Sequence, residues 1–280
     1  MVRLGEKAHE LDLRAGKQVL QGLLVGILPE LVAIMVAFVV GAVLLYVTGY
    51  HPVSAYAAMV QGAFGDIFGI GQTLTQATPI IFTGLSFLLA SRGGLFNIGA
   101  EGQLLVGGFS AALVGISFPG LPSVIHLPIA ILVAAAAGGL WGFIPAALKA
   151  KLGAHEVITT MMLSYVASYL TSYMANYPYK APGWVAQTVP VALSAQLPSI
   201  LPPTQLSASL FLALLMAGLT YYMFDKTTLG YEIRAVGLNP RAAESGGISV
   251  TRNILLALVL SGALAGIGGA GEVLGVHKRY

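Results

Sequence analysis

Seven apolar stretches of about membrane-spanning length recur along this chain, at 26–48, 71–90, 95–117, 125–148, 157–176, 206–224 and 253–274. A run of about 20 apolar residues crosses a bilayer as a helix, so the pattern predicts an all-α, polytopic integral membrane protein. Composition agrees. Only 9% of the residues are charged, against about 25% in a soluble domain. The chain has no cysteine, which excludes disulfides, thiolate-bound zinc, iron–sulfur clusters and thiol nucleophiles. Residues 1–25 mix acids and bases ahead of the first apolar run. That order does not suit a cleaved secretory signal, and the segment is expected to lie along the inner membrane surface.

Small residues crowd several of the stretches, as they do where membrane helices pack closely. Gly138-Gly139 reads as such a contact. The denser run Gly262, Gly266, Gly268, Gly269 and Gly271 leaves two readings open, close packing or a broken helix, because glycine weakens a helix.

Lysine and arginine accumulate on cytoplasmic loops. With the N-terminus inside, eleven of the fourteen fall on inner segments and three, Lys180, Lys278 and Arg279, on outer ones. The charge bias therefore predicts segment 225–252 inside and 177–205 outside. Pro178, Pro182, Pro190, Pro198, Pro202 and Pro203, with Tyr177, Tyr179 and Trp184, mark the latter as an ordered outer cap or as a docking surface.

Within 225–252, Asn239-Pro240-Arg241-Ala242-Ala243-Glu244-Ser245-Gly246-Gly247 has the chemistry of a short bounded helix. Asn suits the N-cap, Pro the first helical position and glycine the exit. A well-formed helix at a membrane surface points to a soluble partner that docks on it. A second polar stretch, Ser91-Arg92-Gly93-Gly94-Leu95-Phe96-Asn97-Ile98-Gly99-Ala100-Glu101-Gly102-Gln103, holds the clearest ionisable residue inside a span. Read as continuous helix, Glu101 lies about 13 Å beyond Arg92, at 1.5 Å per residue, and shares a face with Asn97 four residues earlier. Asn97, Glu101 and Gln103 are thus candidates for a polar solute route or for a buried hydrogen-bond knot.

No metal spacing, no Ser–His–Asp arrangement and no GxxxxGK[ST] phosphate loop is present. His155-Glu156 lacks the second histidine of a zinc-protease helix and reads as a charged helix start. The chain is expected to be neither an enzyme nor an ATPase.

The stretches SRGGLFNIGAEGQLLVGGF (91–109) and GYEIRAVGLNPRAAESGGISV (230–250) resemble the permease subunits of bacterial ATP-binding-cassette importers for nucleosides and simple sugars. The ribose and branched-chain amino-acid permeases are more distant relatives. The resemblance runs from about residue 30 to the end. It implies a single transmembrane permease domain over 1–280 in a bacterial plasma membrane, with the N-terminus cytoplasmic. It implies a second permease, homologous or identical, and cytoplasmic ATPase subunits that use the ATP. It also implies an external solute-binding protein or lipoprotein, and neither a cofactor in this chain nor nucleic acid as a partner. Residues 239–247 would be the coupling helix that enters a groove on the ATPase. Such permeases continue for further spans, so this chain is expected to lack the last of them. A stand-alone secondary transporter or channel and, further off, a membrane enzyme acting on a lipid-linked substrate are the competing readings.

Overall fold

The computed structural model describes residues 28–29 and 31–280; the expected N-terminal surface segment 1–25 and the first residues of the first span lie outside them. The described chain forms two compact units, one ending at Asp66 and the other Ile67–Tyr280.

In the first unit, α1 (Leu31–Val47) and α2 (Pro52–Phe64) are bent by 119° at a short break. Gly49, at φ 88°, stops α1, and Pro52 restarts the helix at a position where its missing N–H is not needed. The Tyr56 hydroxyl donates to the carbonyl of Phe38 at 2.7 Å, and the two rings meet edge to face. The sequence pattern predicts a loop after residue 48. Most of it is helical instead, α2 covering Pro52–Phe64 and the next helix starting at Ile67, because Pro52 provides a start that apolar periodicity does not reveal.

The second unit contains α3 (Ile67–Arg92), α4 (Ala100–Ser117), α5 (Ser123–Leu152), α6 (Glu156–Asn176), α7 (Ser209–Lys226), α8 (Thr228–Leu238), α9 (Pro240–Ser245) and α10 (Val250–Gly271). The last continues as a π-helical turn over Glu272–His277. By length and apolarity, α3, α4, α5 and α10 with its continuation can each cross a membrane. Among the described residues that makes four by length and apolarity, or five if α1 and α2 form one bent span. Helices α6 and α7, 21 and 18 residues long, also have the length to cross but are less apolar: Thr, Ser and Tyr dilute the first and Asp225-Lys226 close the second.

Helix α10 is the axis of this unit and packs against α3, α4 and α5. Its glycine run stays helical to Gly271, so packing and not breakage explains it. A methyl group on Gly138 would stand 2.8 Å from Cα of Gly266, and one on Gly139 would stand 3.2 Å from the carbonyl oxygen of Val259. On the other side, Gly107 of α4 meets Gly266 backbone to backbone. Leucines and valines around this glycine axis face outward (Val124, Leu132, Leu140), the inversion expected of a bundle bathed in lipid.

The Pro-rich segment after α6 is an ordered cap on one end of this unit. Val191, Ala195, Leu197 and Leu206 are buried in it. Leu197 N–H donates to Leu274 C=O at 2.9 Å, and Ala192 N–H to Gly115 C=O at 2.9 Å. The buried His126 ring contacts Ser194 Oγ at 2.8 Å through Nδ1 and Val114 C=O at 3.0 Å through Nε2, tying α5, α4 and the cap together.

Candidate functional site

Two constellations stand out in the second unit, one on the α8–α9 surface and one inside the bundle.

Helix α8 follows α7 through Thr227, whose hydroxyl accepts from Gly230 N–H at 3.2 Å and caps the helix. Gly230, Ile233 and Val236 are its buried face. Gly237 lies against the backbone of Arg92 and Gly94, where a side chain would collide. The sequence pattern singles out a single short helix in 225–252; the chain forms two, and the three-residue spacing of Gly230, Ile233 and Val236 is the signal that could have found the first.

Helix α9 is bounded as its sequence requires. Asn239 Oδ1 accepts from the N–H groups of Arg241 and Ala242, each at 3.1 Å, and Pro240 takes the first helical position. At the exit, Ile248 N–H reaches Ala243 C=O at 3.0 Å and Gly247 N–H reaches Glu244 C=O at 2.9 Å. With Gly247 at φ 82°, this is a Schellman termination, in which the left-handed residue is nearly always glycine. Of the nine residues 239–247, Ala243 is buried against the chain's own α8 and α10, while Arg241, Ala242, Glu244 and Ser245 are exposed. The exposed surface of α9 is therefore Pro240, Arg241, Ala242, Glu244 and Ser245.

The same end of the unit holds Arg92, Lys149, Lys151, Lys226 and Arg252 at helix ends and Arg234 within α8, whereas Lys180, Lys278 and Arg279 belong to the opposite, capped end. Glu156, the first residue of α6, is salt-bridged to Lys149 at 2.8 Å, as a charged helix start should be.

The polar stretch 91–103 folds differently from a continuous helix. Helix α3 ends at Arg92, Gly94 turns at φ 71°, and α4 begins only at Ala100. Asn97 Oδ1 accepts from Gly99 N–H at 3.0 Å, a local turn that competes with helix. Asn97 and Glu101 therefore do not share a helix face, and the helical depth of Glu101 does not apply. The partner of Asn97 is Gln103. Their amides exchange Nδ2–H to Oε1 at 2.7 Å and Nε2–H to Oδ1 at 3.2 Å. Asn97 Nδ2 also donates to Ser261 Oγ at 2.7 Å, and Ser261 Oγ in turn donates to Ser86 C=O at 2.6 Å. Asn97, Gln103, Ser86 and Ser261 are all buried. Four groups from α3, the 93–99 loop, α4 and α10 thus satisfy one another. Ser86 and Ser261 escape a sequence reading because single serines inside apolar runs look like packing residues. Glu101 is not in this knot; it is exposed in the first turn of α4. Nor is it the lone carboxylate within a span, since Glu272 lies within 253–274 and follows α10 directly.

Asn97→Leu is expected to lower the stability of the purified subunit by about 1–3 kcal/mol, the range for buried groups left without partners. Glu101→Gln should leave the melting temperature in detergent unchanged. Equal melting of Asn97→Leu and parent would remove the knot's structural role.

Among the described residues no group of three His, Cys, Asp or Glu is placed to hold a metal. Residues 69–278 match the family model described as branched-chain amino acid transport system / permease component. The chain is 43% identical over 256 residues to the guanosine ABC transporter permease protein NupP of Bacillus subtilis, covering 90% of this chain and 73% of that protein. It is 37% identical over 263 residues to the nucleoside ABC transporter permease protein NupB of Lactococcus lactis, covering 91% and 72%. It is 36% identical over 258 residues to the glucose ABC transporter permease protein TsgB13 of Haloferax volcanii, covering 88% and 68%. No solved structure matches.

Proposed function

From the premise that this chain belongs to the branched-chain amino acid transport system / permease component family, we propose that it forms the membrane path of an ATP-driven importer whose solute is a nucleoside. It is a multi-pass transport subunit, not an enzyme, and its relatives are permeases of ATP-binding-cassette transporters for nucleosides and sugars. The nucleoside reading rests on the two relatives at 43% and 37% identity, NupP and NupB.

The observation that carries the mechanism is α9. Its two ends are closed by its own side chain and backbone, and Arg241, Ala242 and Glu244 stand exposed on it. In this proposal the ATPase groove receives that face. Closure of the ATPase dimer then moves α9, and α8 transmits the movement to the Arg92–Gly94 turn against which Gly237 packs. The knot beside that turn keeps α3, α4 and α10 moving together, while Glu101 lines the solute route. A second permease completes that route, and an external binding protein delivers solute to the capped end. Trp184, fully exposed there, is a natural contact for such a protein or for the bilayer interface. The proposed location is a bacterial plasma membrane, with the N-terminus and segment 225–252 cytoplasmic. The positive charge gathered around α8 and α9 supports this orientation.

The test is uptake of labelled guanosine into cells or vesicles holding the chain with its cognate ATPase, second permease and binding protein. Expected is ATP-dependent uptake, competed by other nucleosides and not by glucose or leucine. Uptake that persists without the ATPase and follows an ion gradient would establish the secondary-transporter reading instead. Single cysteines in this cysteine-free chain test orientation. Ser199→Cys should react with an impermeant thiol reagent in intact cells and Ser245→Cys should not; the reverse pattern would invert the topology.

A further inference from the structure

At the capped end of the second unit, between α4 and the π-helical turn, lies a cavity of ≈ 490 Å³. Leu104 and Leu105 form one wall, Glu272 and His277 stand in the other, and Tyr280, Gln187 and Arg279, whose guanidinium donates to Gln187 Oε1 at 3.1 Å, are also in the lining. We infer that this cavity is a binding site for the base of a purine nucleoside that presents two adjacent N–H donors, as guanine does, with the Glu272 carboxylate as acceptor. The inference rests on the nucleoside reading above and names the side chain that reads the base.

Size and lining fit. Small-molecule sites enclose about 300–1,000 Å³, mostly apolar, with a few placed polar groups. Leu104 and Leu105 offer apolar surface to the faces of a flat base, and Tyr280 adds an aromatic ring of the kind on which bases stack. The carboxylate is the chemically selective element. Its two oxygens accept two parallel N–H bonds. Among the described residues, the polar contact found for Glu272 is Nε2 of His277 at 3.5 Å. That is longer than a good charge-assisted hydrogen bond of about 2.7–2.9 Å, so acceptor capacity is left for a ligand. The Glu272 side chain is 23% exposed, partly desolvated yet reachable.

The backbone explains why this carboxylate stands here. Residues five apart on an α-helix point to different faces. In the π-helical turn Glu272–His277 the bonds run i to i+5, which brings His277 beside Glu272. The turn is held from outside the helix. Leu274 C=O accepts from Leu197 N–H at 2.9 Å, Lys278 C=O from Val191 N–H at 2.9 Å, and Tyr280 C=O from Thr188 N–H at 2.7 Å. Lys278 takes the left-handed conformation, φ 56°, which a lysine seldom adopts. A wide helical turn anchored by one cap hydrogen bond within it and two just after it is a rigid platform for a recognition group, and π turns of this kind concentrate at functional sites.

The cavity also points along a route. Glu101, Leu104, Leu105 and Gly108 fall on one face of α4 by their spacing of three, four and seven. Leu104, Leu105 and Gly108 line the cavity, and Glu101 continues the same face toward the α8–α9 end.

The experiment compares labelled guanosine with labelled adenosine, whose base lacks the adjacent donor pair, in the assembled transporter. Glu272→Gln keeps the size of the side chain and removes one acceptor oxygen and the charge. The guanosine-to-adenosine uptake ratio is expected to fall about tenfold, the scale of one hydrogen bond to a charged group. Glu272→Asp, which keeps the charge but withdraws it by one methylene, should give an intermediate ratio. Should Glu272→Gln fail to insert, the Glu272→Asp ratio decides by the same criterion. A parent that takes up both nucleosides with a ratio unmoved in the inserted variants overturns the assignment of Glu272 and leaves the importer standing. A parent that takes up neither purine nucleoside, but another solute, overturns this assignment and the nucleoside reading together.

Discussion

Gly266→Leu is expected to abolish the folded subunit. Gly266 sits where three helices cross, with Ala134 and Gly138 of α5 on one side and Gly107 of α4 on the other. A Cβ at this position would lie 3.1 Å from Cα of Gly138 and against the carbonyl oxygen of Ala134. Those neighbours are backbone, so no rotamer change makes room. Overpacking in a core destabilises by about 1–3 kcal/mol where side chains can adjust; here the helices themselves must separate, and a loss of about 3 kcal/mol or more follows. The measurement is the monodisperse fraction after detergent extraction, with Gly62→Leu as a control. Gly62 has nothing within 4 Å of its would-be Cβ, so the control should behave as the parent. Equal recovery of the two variants would show that α10 does not cross α5 and α4 at Gly266.

Ala242→Trp is expected to give a stable, inserted subunit that fails to retain its ATPase. Ala242 is exposed on α9, so the indole meets no atom of this chain's core, yet it occupies the face through which α9 would enter a groove. A clash at the centre of an interface is worth about 2 kcal/mol or more, so retention and uptake should fall by about tenfold or more. Ala243→Trp is a different experiment. Ala243 is buried against the chain's own helices, and a bulky residue there should disturb α9 itself. Gly247→Pro should also deform the exit, because proline cannot adopt φ 82° and removes the N–H that reaches Glu244. The decisive measurement is co-purification of the ATPase at matched membrane yield. Full retention by Ala242→Trp with uptake intact would make α9 an ordinary surface helix and withdraw the coupling role.

What could be read from the sequence alone is what depends on near neighbours in the chain. Apolar runs of bilayer length dictate an all-α membrane protein whatever the packing. Asn239, Pro240 and Gly247 bound α9 through bonds that reach at most five residues, so their chemistry is complete locally. The long-range arrangement was not legible in the same way. Asn97 bonds to Ser261, 164 residues away, and Ser86 to the same serine across 175. No local period could pair them, and the spacing of Asn97 and Glu101 pointed to the wrong partner because an Asx-type turn delays α4 to Ala100. Which alanine of α9 faces inward, whether the glycines of α10 break it or let neighbours close upon it, and where Glu272 stands were decided by contacts between helices. A glycine reads alike in a hinge and in a crossing; only the backbone opposite it distinguishes them.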